Sequence, residues 1–180
     1  MIDDIHTLLD ALKLRHARAA VDEQLKAAQK QKTSYSAFLL ELLRREHEGQ
    51  RDRNIARRLK RSGLQEYWTL ETFPFNVQKC VDKRLIDELA ELDFIDRGQS
   101  VVFIGQPAVG KSGLASGIMM KALYAGRRCQ AITADALFEE LGNSHADRST
   151  RERLRRLARL DLLLIEEFGF INPIEPAQVN

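Results

Sequence analysis

The sequence predicts an α/β fold, a parallel sheet flanked by helices, preceded by a small all-helical N-terminal domain. Three observations predict it. From residue 100 onward, apolar runs of four or five residues alternate with helical patterns, as in a parallel sheet with helical crossovers. A glycine-bearing loop joins the first such run to the helix behind it. Residues 1–66, by contrast, carry helical stripes and almost no strand signal.

The helical part is read first. Ile2, Ile5, Leu8, Leu9 and Leu12 make one apolar stripe, and an alanine-rich, weakly amphipathic helix follows over Arg15 to Lys30. Tyr35, Phe38, Leu39, Leu42 and Leu43 fall at i, i+3, i+4, i+7 and i+8, with Thr33 or Ser34 as cap and Gly63 as stop after a long basic continuation. Residues 67–76 break the helical period around Pro74 and read as an ordered connector packed against a neighbour. Residues 77–180 open with a helix marked by Val81, Leu85, Ile86, Leu89 and Leu92. Strands are expected at Ser100–Ile104, Cys129–Thr133 and Leu162–Ile165, and helices at Ser112–Ala125, closed by Gly126, and at Ala134–Leu141.

Gly105, Gln106, Pro107, Ala108, Val109, Gly110, Lys111 and Ser112 match G-x-x-x-x-G-K-[ST], the phosphate-wrapping Walker A loop. Strand, loop and helix stand in the order the chemistry needs. Glycines let the backbone curl so that its N–H groups turn inward, and the helix N-terminus adds a positive dipole end. Lys111 is expected on the β and γ phosphates of ATP, with the Ser112 hydroxyl on Mg²⁺. Gly113 and Gly117, inside the following helix, read as close-packing positions. Downstream, the apolar strand Leu162–Ile165 ends in Glu166 and Glu167, the pattern of a Walker B motif. Glu166 is expected to hold the Mg²⁺ shell and Glu167 to polarise an attacking water. The first acid of this motif is usually Asp; the extra methylene of Glu166 shifts its carboxylate, which an octahedral Mg²⁺ site tolerates poorly.

The net charge is only +2, but it is unevenly spread, with residues 44–61 rich in Arg. Arg53, Arg57 and Arg61 recur at i+4 on one helical face, and Arg58 lies beside them on another, a pattern that suits a nucleic-acid backbone or an ordinary solvated face. Arg151, Arg155 and Arg159 form a similar stripe. With 44% apolar and 30% charged residues, the 180-residue chain can bury one core plus a small satellite. No run approaches a membrane span, no signal peptide is visible, and Cys80 and Cys129 lack zinc or disulfide spacing, so a cytoplasmic location is expected.

Together, the basic helical domain, the Thr69-Leu70-Glu71-Thr72-Phe73 connector and the Gly105–Ser112 and Leu162–Phe170 segments resemble the IstB-like ATPases, AAA+ helper proteins of insertion-sequence transposition related to DnaC-type helicase loaders. The resemblance implies a helical domain on an AAA+ P-loop NTPase core, with ATP and Mg²⁺ as ligands and self-assembly on duplex DNA with little sequence preference. It also implies delivery of target DNA to a partner transposase, or alternatively a helicase-loading role with a helicase partner. On that resemblance Arg53, Arg57, Arg58 and Arg61 become DNA contacts. Such a core continues into a sensor strand, an arginine finger and a final strand, which are absent before Asn180. A truncated chain with little turnover, or a nucleotide-binding remnant, is therefore expected.

Overall fold

Helices carry most of the chain in the computed structural model, which describes residues 2–78, 80–146 and 150–168, the side chains of 143–146 excepted. Packing divides the protein into two units, Met1–Arg57 and Arg58–Asn180.

The first unit consists of α1 (Ile2–Ala11), α2 (Arg15–Gln31) and most of α3 (Tyr35–Arg61). Ser34 caps α3, its Oγ accepting from the Ala37 N–H at 3.3 Å. Ala17, Val21 and Leu42 are buried, with Ile5, Leu9, Leu14, Leu25 and Phe38 packed around them. The small side chains of α2 let the helix backbones approach closely, so only part of each predicted stripe is covered. Ile2, Leu8, Leu12, Tyr35, Leu39 and Leu43 stay exposed. A buried carboxylate supplements this thin core. Glu46 on α3, only 3% exposed, accepts from the backbone N–H groups of His16 at 2.7 Å and Ala17 at 2.8 Å. These belong to the first turn of α2, where unpaired N–H groups and the helix dipole favour an anion. Gln50 Nε2 donates to the same carboxylate at 3.0 Å. Burial alone pushes the Glu46 pKa up, but the hydrogen bonds from Ala17, Gln50 and His16 outweigh it and hold the group below its ordinary value.

The second unit is built around α6 (Lys111–Tyr124), which is mostly apolar and has eight buried residues. The 3₁₀ turn Leu70–Thr72, α4 (Lys83–Ala90) and α5 (Asp93–Asp96) supply Leu70, Phe73, Ile86, Leu92 and Phe94 to the same core. Asp82 caps α4, accepting from the Arg84 N–H at 2.9 Å. Beyond α6 come β1 (Cys129–Thr133), α7 (Ala134–Ala146), α8 (Thr150–Leu157) and β2 (Leu162–Glu166). β1 and β2 pair in parallel, with Cys129 opposite Leu162 and Thr133 opposite Glu166. On the other edge of β1, the Ala131 N–H donates to the Ser62 carbonyl at 2.6 Å, so the chain just past α3 covers an edge that would otherwise stand open. Cys129 is buried and free, and burial pushes its thiol up to about 12, which makes it inert. Among the described residues no helix is long and apolar enough to cross a membrane.

One expected strand does not form. Residues 100–104 are not part of any sheet, and among the described residues the sheet has two strands where three were expected. The alternation there is real: Phe103 packs on the core, while Val102 is 76% and Ile104 92% exposed. An apolar alternation becomes a strand only when a neighbour takes its N–H and C=O groups. Among the described residues β2 pairs with β1 alone, and neither strand forms a ladder with residues 100–104.

The starts of β1 and β2 are pinned by one ion pair. Asp161 accepts from the Arg128 backbone N–H at 2.7 Å and from its guanidinium at 2.9 and 3.2 Å, and its own N–H donates to the Arg128 carbonyl at 2.8 Å. The Arg128 side chain, then its backbone N–H, holds the Asp161 pKa down at about 2. A folded-state value below the ordinary 3.8 means this stabilisation is complete above about pH 4 and is lost as the pH falls towards 2. In Asp161→Asn, acid unfolding of the second unit followed by urea titration is expected to lose that component, with about 1–2 kcal/mol less stability at neutral pH.

Candidate nucleotide-phosphate site

Residues 105–110 form a tight turn running directly into α6. Ala108 (φ 63°) and Gly110 (φ 90°) both adopt the left-handed conformation and swing the chain back towards the helix. For Ala108 this costs about 1–2 kcal/mol, a backbone strain of the kind found at ligand-binding turns. The loop closes on itself: a Cβ on Gly105 would stand 3.3 Å from Val109 Cγ2 and 3.9 Å from Lys111 Cδ. Lys111, half-buried, crosses the mouth of the loop, where its Nζ donates to the Gly105 carbonyl at 2.9 Å and the Gln106 carbonyl at 2.7 Å. Gln106, Pro107, Ala108 and Ser112 are exposed, and Val109 is half-buried. Thus the eight predicted loop residues are brought together, with the Lys111 cation at the N-terminal end of a fourteen-residue helix. Helix N-termini with free N–H groups and a nearby cation suit anions.

The two acids stand at the end of β2. Glu166 is half-buried, and burial first, then the charges of Glu167 and Glu66, raise its pKa. Glu167 is exposed at φ 58°, just past the strand. Among the described residues no hydrogen bond or ion pair joins either acid to Lys111 or Ser112. Gly169 and Phe170, part of the segment that carried the resemblance, lie outside the described residues.

Of the candidate DNA contacts, Arg57 and Arg61 are exposed. Arg53 lies 3.7 Å from Glu46, and the Arg58 guanidinium lies over Gly126, 3.5 Å from where a Cβ would stand. On α8, Arg151 and Arg155 are exposed, as is Arg159 just beyond it, while Arg153 and Arg156 pair with Glu140.

Sequence reasoning missed how the connector meets the loop. A Cβ on Gly110 would stand 2.8 Å from the Phe73 ring, one on Gly113 would touch the Trp68 indole at 3.8 Å, and one on Gly117 would meet Leu70 at 2.6 Å. Glycines at 110, 113 and 117 therefore form a groove along α6 that seats Phe73, Trp68 and Leu70. Their i, i+3, i+7 spacing was the available signal. The connector thus buttresses the turn that presents Lys111, aided by the exposed Glu71–Lys121 ion pair at 2.8 Å.

A cation-bearing turn at a helix N-terminus, beside a parallel strand pair ending in acids, defines the class as an α/β P-loop NTPase fold. The family profile described as IstB-like ATP binding protein matches residues 7–180, and the chain belongs to that family. It is 32% identical over 168 residues to an insertion sequence IS21 protein of Pseudomonas aeruginosa that carries an ATP-binding name, covering 93% of this chain and 63% of the relative. The similarly named IS5376 protein of Geobacillus stearothermophilus is 37% identical over 138 residues, covering 77% and 55% respectively. An IS21-like protein of Bacteroides fragilis is 31% identical over 156 residues, covering 87% and 78%. The chain thus spans less than two thirds of the length of the first two relatives.

Proposed function

We propose that this chain binds ATP at residues 105–112 and serves insertion-sequence transposition by binding duplex DNA and presenting it to a partner transposase. The observation that carries the reading is Lys111, held by two carbonyls in the mouth of the loop. Phosphate oxygens offer its ammonium charged acceptors in place of neutral ones, so the exchange favours the triphosphate. Backbone N–H groups at the start of α6 take the remaining phosphate charge. The residues present suit Mg²⁺. Ser112 offers an exposed hydroxyl, and the Glu166 pKa is raised by burial first and then by the charges of Glu167 and Glu66, so its carboxylate is a hard-oxygen donor that a divalent cation would favour in the charged form. Ser112 and Glu166 would hold the ion, which would supply charge neutralisation at the phosphates, and Glu167 would orient a water for hydrolysis. The names of the IS21-type relatives support the ATP and insertion-sequence parts, and the basic run of α3, with Arg53, Arg57, Arg58 and Arg61, supports the DNA part.

Anisotropy of a labelled duplex, titrated with and without ATP·Mg²⁺, tests the coupling. The expected result is tighter DNA binding with nucleotide in the native chain and no nucleotide effect in Lys111→Ala, with affinity falling steeply with salt in both. Binding that ignores salt would rule out the DNA reading.

A further inference from the structure

The first unit holds a cationic cleft assembled from two places in the sequence. Lys13 comes from the turn between α1 and α2, and Arg15 is the first residue of α2. Gln50, Arg53, Asn54 and Arg57 come from one face of α3, at i, i+3, i+4 and i+7, and together the six line a cleft of about 310 Å³. Lys13, Arg15 and Arg57 are exposed and, among the described residues, make no ion pair. Arg53 is half-buried, with its Nε buried and lacking a hydrogen-bond partner, and its terminal nitrogen is 3.7 Å from Glu46. Among the described residues Glu46 is the one carboxylate paired with any of these cations, and it is occupied by the His16 and Ala17 N–H groups and by Gln50. Its bonds to His16 and Ala17 hold the chain next to Arg15 against α3, so both walls are fixed relative to each other. The nearby acids Asp10 and Asp22 are engaged elsewhere, with Arg18 and His6.

Four cations line one cleft, and only Arg53 among them is paired with a carboxylate among the described residues, an arrangement that suits an anion. Guanidinium forks match phosphate oxygens, while the Gln50 and Asn54 amides can donate to uncharged ester and sugar oxygens. No aromatic or aliphatic side chain lines the cleft, so nothing there stacks a base or holds an acyl chain. We propose that this cleft grips a phosphodiester segment of a nucleic-acid backbone from two sides, Lys13 and Arg15 on one wall, Arg53 and Arg57 on the other. This rests on the DNA reading above and places its contacts on both the α1–α2 junction and α3, beyond the basic helix alone. A free polyphosphate shares the chemistry, and the test separates the two.

The full chain is titrated with labelled duplexes of two unrelated sequences across a range of salt concentrations. Lys13→Ala/Arg15→Ala is compared with Lys26→Ala/Lys30→Ala, which removes the same charge from exposed positions on α2 outside the cleft. The cleft variant is expected to flatten the log–log salt slope by about 1.8 and weaken binding at least about tenfold, equally for both sequences. The control pair is expected to leave the slope within experimental error. Equal losses in the two variants, or none in the cleft variant while the native chain binds, would overturn the cleft and leave the DNA reading standing. No duplex binding by the native chain at any salt would overturn that reading and the cleft with it. Tripolyphosphate is then added as competitor. Displacement only at a large excess over duplex phosphate supports a backbone site, whereas displacement at equal phosphate would reassign the cleft to free polyphosphate.

Discussion

Replacing Glu46 with alanine is expected to unfold the first helical unit at neutral pH. The carboxylate makes two short bonds to backbone N–H groups of α2, and hydrogen bonds to a charged group each contribute about 1.5–3 kcal/mol. Alanine also leaves the buried Ala17 N–H without a partner, so the total loss is about 3–5 kcal/mol. A three-helix unit whose buried apolar residues, among those described, are Ala17, Ala20, Val21 and Leu42 has little more than that to lose. Glu46→Gln keeps an oxygen facing the same N–H groups and is expected to cost only about 1 kcal/mol. The pH dependence has a definite sign. The native Glu46 pKa lies below its ordinary 4.5, so its stabilisation is complete above that value and is lost as the pH falls further. Hydrogen exchange read residue by residue checks this. The Ala variant is expected to lose protection throughout α1 and α2, and the Gln variant to lose the acid sensitivity of the native unit. Full protection of the His16 and Ala17 amides in Glu46→Ala would refute the role given to this carboxylate.

Gly63→Val is expected to destabilise the second unit by about 2–5 kcal/mol. Gly63 has φ 75°, where a β-branched residue is strongly disfavoured, and its Cβ would stand 2.5 Å from the Ala131 carbonyl oxygen. The obstacle is backbone in β1, so relief requires moving the strand or breaking the 2.6 Å Ser62–Ala131 hydrogen bond. Ser62 adds to the rigidity: it is fully buried, its Oγ donating to the Leu59 carbonyl at 2.7 Å and accepting from the Leu64 N–H at 3.2 Å. Urea unfolding should show a lower midpoint, accompanied by faster exchange of the Ala131 amide. A midpoint equivalent to within about 0.5 kcal/mol of the native chain would mean that this junction gives easily.

What the sequence made legible was whatever is encoded locally. The helix ending at Gly126 and the cap at Ser34 depend on neighbouring residues and stand in the structure as expected, and the expected strand Cys129–Thr133 forms because β2 pairs with it. Residues 100–104 do not form one, because a strand needs a partner from elsewhere in the chain and alternation cannot supply it. The same reasoning explains Glu46. As sequence it reads as one acid offsetting nearby arginines, and its bonds to residues thirty and twenty-nine positions away become visible only once α2 and α3 pack. In the candidate site, the loop was legible because a single contiguous motif carries it. Phe73 and Trp68 were not, since their part depends on glycines one helix away. Gly113 and Gly117 were nonetheless read correctly as packing positions, and the partner they receive is the connector.

The central claim is that residues 105–112 bind nucleotide through Lys111. A thermal melt of the full chain with and without saturating ATP·Mg²⁺, beside Lys111→Ala, tests it most directly. At 100 times the dissociation constant, binding adds about 2.7 kcal/mol and raises the midpoint by roughly 5–10 °C. A rise in the native chain and none in the variant is the predicted result. A cooperative melt that ATP·Mg²⁺ leaves unmoved, or an equal rise in both proteins, would contradict it.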